Sequence, residues 1–91
     1  MANSLFIMRL PQVLAKIGLS RASLYAQISA GLFPKQINLG SRTVGWLSYE
    51  IEAILSARIK SMSNEEIKQL VAQMHLKRNL ENSSATKDQE V

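Results

Sequence analysis

The basic side chains in the first half of the chain are the residues best suited to chemistry, and that chemistry is the binding of anions. The chain has 91 residues and a net charge of +4, and its first acidic side chain is Glu50. Residues 48–91 carry six basic and seven acidic side chains, so the positive charge lies in the first half. Such asymmetry favours nucleic acid as a partner, although a merely solvated basic half-domain would have the same charges. The cations concerned are Arg9, Lys16, Arg21, Lys35 and Arg42.

Other kinds of chemistry have little support in the sequence. There is no cysteine, which excludes disulfides, thiolate metal sites and thiol nucleophiles. His75 is the only histidine, and without a second ligand or base it is better explained as a solvated residue than as a catalytic group. The chain also lacks the glycine patterns that bind nucleotides. We therefore predict no enzyme activity, no metal and no cofactor.

The apolar run at residues 5–8 is the longest near the N-terminus. It is too short for a signal-peptide core and much too short to cross a bilayer. The expectation is a cytoplasmic protein without a membrane partner.

Two short helices must position the cations. The apolar positions 10, 13, 14 and 17 have the spacing of one buried stripe, which predicts a helix over Pro11–Ile17. Gly18 is suited to end it in a left-handed conformation, and the Ser20 hydroxyl is suited to cap the next helix. That second helix is predicted over Arg21–Ala30, with its end at Gly31.

The second helix has an outer face with almost no bulk. Leu24 and Ile28 point inward on a helical wheel, whereas Arg21 and Tyr25 flank the opposite face. Small side chains permit close approach to a groove, so the pair predicts a helix-turn-helix whose second helix enters the major groove. The alternative is an ordinary antiparallel pair of helices. The small residues of the outer face are Ala22, Ser23, Ala26, Ser29 and Ala30.

A change to alternating polarity after Gly31 predicts a small β-hairpin. The alternation runs over residues 36–39 and 43–46, on either side of Gly40-Ser41-Arg42. At this tip Arg42 either contacts a phosphate or the minor groove, or is a solvent-exposed turn residue. Trp46 is better explained as core than as a platform for stacking bases, because it shares a face with Val44.

Two further helices are predicted in the second half. Ser48 precedes a third helix over Tyr49–Lys60, with early acidic residues that complement the helix dipole. The run Ser63–Glu66 is a capping box that starts a fourth helix, which frays near Leu80. The polar residues 81–91 predict a disordered tail. The predicted buried stripes are Ile51, Ile54, Leu55 and Ile59 in the third helix, and Ile67, Leu70, Val71 and Met74 in the fourth.

The segment RLPQVLAKIGLSRASLYAQISAGLFPKQINLGSRTVGWLSYEIEAIL, Arg9–Leu55, resembles the AlpA family of phage and prophage regulators. The resemblance lies in a GLSR.SLY helix start, a G.FPK link, an LG.R.VGW wing and an acidic helix that follows. It implies a winged-helix fold of the MerR or excisionase type. It also implies that Arg21, Ser23, Tyr25, Lys35 and Arg42 face DNA.

The predicted fold is mainly helical, a winged helix-turn-helix with a two-stranded hairpin and an additional C-terminal helix. Residues 1–8 form an N-terminal arm, 9–61 the DNA-binding domain, 62–80 the C-terminal helix and 81–91 the tail. The predicted DNA-binding residues are Ser20, Arg21, Ala22, Ser23, Tyr25, Ala26, Lys35 and Arg42.

The predicted function is sequence-specific binding of double-stranded DNA as a prophage-type transcriptional regulator, with the second helix in the major groove and the wing on the backbone or minor groove. One alternative is an excisionase that directs a phage-type recombinase. Another is a protein-interaction module that docks through the fourth helix. The stripe of that helix either folds back on the third helix, giving a monomer, or pairs two copies in a homodimer, and folding back is favoured.

Overall fold

The computed structural model describes the backbone of residues 6–90 and the side chains of residues 6–79. This part of the chain is mostly helical with one small antiparallel sheet, as the sequence predicts, and it is compatible with a winged-helix fold. No helix within it is long and apolar enough to cross a membrane. The elements in chain order are β1 (Ile7–Met8), α1 (Leu10–Ile17), α2 (Arg21–Ser29), β2 (Ile37–Gly40), β3 (Thr43–Leu47), α3 (Ser48–Ile59) and α4 (Asn64–Glu90).

The turn between α1 and α2 is built from the two residues that the sequence singles out. Gly18 adopts a left-handed conformation with φ of +74°, and its N–H donates to the Leu14 carbonyl at 2.9 Å. The Ser20 hydroxyl accepts from the Ser23 N–H at 3.1 Å and caps α2. Leu24, on the inner side of α2, is fully buried. These local contacts confirm the two predicted short helices and the turn between them.

The predicted hairpin is present, but a third strand joins it. β3 lies in the centre of the sheet, with β2 on one side and β1 on the other. Ile7 pairs with Leu47 and Met8 with Trp46, so two residues that the sequence analysis places in an N-terminal arm belong to the sheet. The rest of that arm, residues 1–5, lies outside the described residues.

Gly45 allows the two outer strands to approach β3 closely. A Cβ atom at this position would overlap the Ile7 side chain and lie 3.0 Å from the Leu39 Cδ1 atom. A glycine in a strand is typical of such close approach of neighbouring strands. The side chains from β1 and β2 thus cover the middle strand.

The predicted start of α3 is wrong in its capping residue. The N-cap is Leu47, whose side chain makes no capping bond, and Ser48 is already helical. The Ser48 hydroxyl instead accepts from the Phe6 N–H at 3.1 Å, and its own N–H donates to the Phe6 carbonyl at 2.9 Å. A long-range partner from the N-terminal segment therefore takes the hydroxyl that local reasoning assigns to the helix.

Ile59 is a second correction in α3. The sequence pattern places it on the buried stripe, but it is the last residue of the helix and 81% exposed. Ile51 and Ile54 are buried as predicted, and Leu55 is partly buried against the core. The stripe stops contacting the core before the helix ends.

α4 folds back on its own domain. The Ser63 N–H donates to a Glu66 carboxylate oxygen at 2.9 Å, and the Glu66 N–H donates to the Ser63 hydroxyl at 3.2 Å, which confirms the capping box. Ile67 and Val71 are buried in the same core cluster as Trp46. The predicted inner stripe of α4 thus completes the core.

The C-terminal end of α4 differs from the sequence prediction. The helix reaches Glu90, beyond Leu80, where the sequence analysis expects it to fray. The side chains from residue 80 onward lie outside those described, so the disordered tail at 81–91 stays a prediction.

Candidate nucleic-acid interface

The N-terminal end of α2 combines a helix dipole with a basic side chain. Arg21 is the first residue of the helix and is exposed, and the first turn contains no acidic residue. A cation near the positive end of a helix costs about 0.3–1 kcal/mol. Folding alone therefore does not favour arginine here, whereas an anion at this end would be attracted by both the dipole and the guanidinium.

The two serines at this end of α2 are hydrogen-bonded to each other. Ser20 and Ser23 are exposed, and the Ser20 hydroxyl donates to the Ser23 hydroxyl oxygen at 3.0 Å while it accepts from the Ser23 N–H. Both hydroxyls are thus fixed in place by local bonds. Their first structural role is to define where α2 begins.

The outer face of α2 is exposed and free of large side chains. Ala22 and Ala26 are exposed, as the helical wheel predicts. Tyr25 is only partly exposed, because its side chain packs against the core. On the neighbouring edge, the Gln27 amide oxygen accepts from the Arg58 guanidinium at 3.0 Å, which ties α2 to α3. The helix is therefore held at its edge while its small-residue face stays open.

The link between α2 and β2 is held by side chains from two other elements. The Trp46 indole N–H donates to the Pro34 carbonyl at 3.0 Å. The Lys35 N–H donates to His75 Nε2 at 3.1 Å, and the Lys35 carbonyl accepts from the Arg78 guanidinium at 3.0 Å. Three consecutive polar groups of the main chain are thereby bonded, while the residue itself stays exposed. Three hydrogen bonds therefore hold the main chain that carries the cation at position 35.

Arg42 occupies an unusual backbone conformation at the tip of the hairpin. Its φ is +59°, in the left-handed region where glycine and asparagine are the common residues. The neighbouring strands are also irregular in register between Asn38 and Gly40. Since the turn would be less strained with glycine, the arginine is not explained by turn geometry. Its side chain is exposed.

The cations of the first half differ in their partners. Lys16 pairs with Glu52 at 2.6 Å, and the Arg9 guanidinium donates to the Val44 carbonyl at 3.1 Å. Within residues 6–79, the side chains of Arg21, Lys35 and Arg42 have no hydrogen bond or ion pair to the protein. Among the five described cations of the first half, the three without a protein partner are thus the three predicted to face DNA.

The predicted residues fall into two groups along the chain. Ser20, Arg21, Ala22, Ser23, Tyr25 and Ala26 belong to α2 and its cap, whereas Lys35 and Arg42 belong to the link and the wing. Among the described side chains, no hydrogen bond or ion pair joins one group to the other. Their relative placement depends on the link and on the core beneath it.

A buried ion pair that the sequence analysis missed lies under the link. Glu50 is 2% exposed, and both of its carboxylate oxygens accept from Arg78, with a distance of 3.0 Å from Arg78 Nε. Sequence reasoning assigns this glutamate only to the helix dipole of α3. A signal was available, because position 78 continues the spacing 67, 71 and 74 of the buried stripe in α4. A charged residue on such a stripe indicates a buried partner.

His75 is also placed differently from the prediction. It is partly buried rather than solvated, and its Nε2 atom acts as an acceptor, which requires the neutral ring. Burial lowers the pKa of His75 below its ordinary 6.5, and the cations of Arg78 and Lys35 lower it further, against an opposing effect of Glu50. The stability that depends on neutral His75 is complete above pH 6.5 and is lost as the pH falls through the folded-state pKa.

The sequence that forms these caps, the link and the wing matches the model of a known family over more than half of the chain. The sequence profile described as Prophage CP4-57 regulatory protein (AlpA) matches residues 6–59, from β1 to the end of α3. The chain belongs to the AlpA family. The match includes every predicted DNA-binding residue, but it ends before α4, so the helix that carries His75 and Arg78 lies outside the AlpA profile.

Two curated proteins are similar in sequence to this chain. The chain is 42% identical over 52 residues to the uncharacterized protein ORF88 of Enterobacteria phage P4, covering 57% of this chain and 59% of that protein. It is 40% identical over 60 residues to the DNA-binding transcriptional activator AlpA of Escherichia coli K12, covering 59% of this chain and 86% of that protein. The chain thus spans about three fifths of the length of the phage relative. No solved structure matches the chain significantly.

Proposed function

We propose that the protein is a sequence-specific regulator of transcription that binds double-stranded DNA, with α2 in the major groove and the β2–β3 wing on the backbone or minor groove. The observation that carries the proposal is the set of exposed, unpaired cations at Arg21, Lys35 and Arg42. They occur at the start of α2, on the link and at the wing tip. Cations in such places suit phosphate contacts, and an arginine at the start of a recognition helix suits the edge of a guanine.

Sequence similarity to a curated protein supports the same proposal. The Escherichia coli relative is described as a DNA-binding transcriptional activator, and its similarity covers 86% of its own length. A module that docks proteins through α4 is less compatible with the fold. Ile67 and Val71 are buried against the core, and Leu70 and Met74 are partly buried there. Little apolar surface of that stripe therefore remains exposed for a protein partner.

Footprinting on the DNA that flanks the gene tests the function directly. We expect the protein to protect a discrete site and to bind it more tightly than random duplexes of the same length. The affinity should fall as salt rises, because bound cations release counterions from the phosphates. Equal affinity for all duplexes would contradict sequence-specific regulation, and binding that is insensitive to salt would contradict the cationic surface.

Arg21→Ala is expected to weaken binding to the protected site by about 1–3 kcal/mol if the guanidinium contacts a base edge. The loss should be smaller on random duplexes. The free energy of unfolding should rise slightly, by about 0.3–1 kcal/mol, because the substitution removes a cation from the positive end of α2. Fluorescence anisotropy and thermal melting measure the two effects.

Lys16→Ala is the matched control for Arg21→Ala. It removes one positive charge from the same half of the chain, but from a side chain that pairs with Glu52. We expect it to change DNA affinity much less. If Arg21→Ala binds the site as tightly as the unaltered protein, α2 is not the recognition helix.

Arg42→Ala is expected to lower affinity for specific and random duplexes alike and to reduce the magnitude of the salt slope by about one. Alanine and arginine both carry a Cβ atom, so the strain of the +59° backbone is similar in the two proteins. Arg42→Lys should restore the slope because it restores the charge. A slope that does not change in Arg42→Ala would mean that the wing tip lies away from the DNA.

A further inference from the structure

We propose that α4, which lies outside the family match, positions Lys35 for DNA by holding its main chain between His75 and Arg78. The proposal rests on the DNA-binding function and assigns positioning residues to that surface. His75 accepts from the Lys35 N–H, and Arg78 donates to the Lys35 carbonyl. The two α4 residues are three apart, so they project from one face of the helix.

The link has no regular structure of its own to hold it. Gly31 ends the α2 region with φ of +79°, and β2 begins only at Ile37. Between them, the hydrogen bonds from His75 and Arg78 fix the backbone on both sides of the Lys35 Cα atom. A lysine contacts a phosphate only when its side chain lies in the right place. If the link moved, the protein would bind DNA more weakly although its charge stayed the same.

Arg78 is itself held in place by Glu50 of α3. Its guanidinium binds the buried Glu50 carboxylate and still has an N–H for the Lys35 carbonyl. This fork geometry is specific to arginine, which has several donors in one plane. Glu50 of α3, Arg78 of α4 and Lys35 of the link are therefore joined in one chain of contacts.

Protonation of His75 is expected to weaken DNA binding, whereas an added positive charge by itself would strengthen it. Protonation of Nε2 removes the acceptor for the Lys35 N–H and places a cation beside Lys35 and Arg78, with Glu50 as the only acid that faces it among the described residues. A protonated surface histidine would raise affinity for phosphate. Loss of a positioned link would lower it. His75 is the only histidine in the sequence, so no second imidazole contributes to this pH dependence.

The test compares the full chain with His75→Ala and His75→Gln between pH 7.5 and 5.0. At pH 7.5 His75→Ala should bind the footprinted duplex about three- to tenfold more weakly, as expected for the loss of one hydrogen bond. His75→Gln offers an amide oxygen in place of Nε2, so it should restore binding and remain insensitive to pH. The unaltered protein should lose affinity as the pH falls through the folded-state pKa of His75, which burial holds below the ordinary 6.5. Circular dichroism at each pH confirms that all three proteins are folded.

Amide exchange of Lys35, measured by nuclear magnetic resonance without DNA, reports the hydrogen bond directly. We expect this amide to be protected in the unaltered protein and in His75→Gln, and to exchange faster in His75→Ala. Equal DNA affinity of His75→Ala and the unaltered protein, or an affinity that rises as the pH falls, would overturn the positioning role. If instead the amide behaves as expected but no duplex is bound at any pH, the DNA-binding function fails, and the positioning role fails with it.

Discussion

A protein that ends at Ser61 is expected to lose most or all of its cooperative unfolding transition. The cut removes α4, including Ile67 and Val71, which are buried in the core. Burial of such side chains contributes about 1.5–3 kcal/mol each. The cut also leaves Glu50 without Arg78, and a buried charge that loses its partner costs about 3–5 kcal/mol. These losses are comparable with the whole stability of a small domain, about 5–15 kcal/mol.

A protein that ends at Asn79 is the matched control for this cut. It keeps every described side-chain contact, so it should melt at about the temperature of the full chain. Thermal melting by circular dichroism and analytical sedimentation measure both proteins. A full-length protein that sediments as a dimer, with a Ser61-terminated protein that stays folded as a monomer, would show that α4 serves to pair two copies.

Arg78→Ala is expected to lower the free energy of unfolding by about 3–5 kcal/mol, the range for removal of one partner from a buried ion pair. The side chains of Arg78 and Glu50 are 14% and 2% exposed, so water replaces little of the lost interaction. The Lys35 carbonyl loses its donor as well. Urea unfolding at pH 7.5 measures the effect, and a loss below about 1 kcal/mol would mean that the pair behaves as an exposed one.

Two further variants separate charge from volume at this site. Arg78→Lys keeps a cation but not the planar fork, so we expect it to recover only part of the stability. Arg78→Met combined with Glu50→Gln removes both charges while keeping similar volumes, and it should be more stable than Arg78→Ala. If the double variant is as unstable as Arg78→Ala, the loss comes from packing and not from the stranded carboxylate.

Much of the fold could be predicted because its signals act over three or four residues. Gly18 closes α1, Ser20 caps α2, and Ser63 and Glu66 cap α4, each through bonds within a single turn. The apolar spacing of the helices likewise identifies Leu24 and Ile67 as buried. Such features depend on local backbone geometry, so the sequence by itself determines them.

The candidate site could be predicted only as a set of residue types. The sequence places Arg21 at the start of a helix and Arg42 at a turn, and the family resemblance implies that these two residues and Lys35 face DNA. It does not reveal that Lys16 is neutralised by Glu52, because the partners lie on different helices. Which cations remain unpaired is a property of the packed chain.

Tertiary structure decided the features whose partners are far apart in sequence. The Phe6 N–H donates to the Ser48 hydroxyl, 42 positions away, so this hydroxyl has a long-range partner in place of a local cap. Glu50 is paired with Arg78, 28 positions away, and the link at Lys35 is bonded to α4 across 40 positions or more. A hydroxyl, a carboxylate or an imidazole can satisfy its hydrogen bonds with many partners. Only the packing of the core brings one particular partner within reach, so the sequence determined the helices, their local caps and the hairpin, whereas the folded chain decided which distant partners they bond.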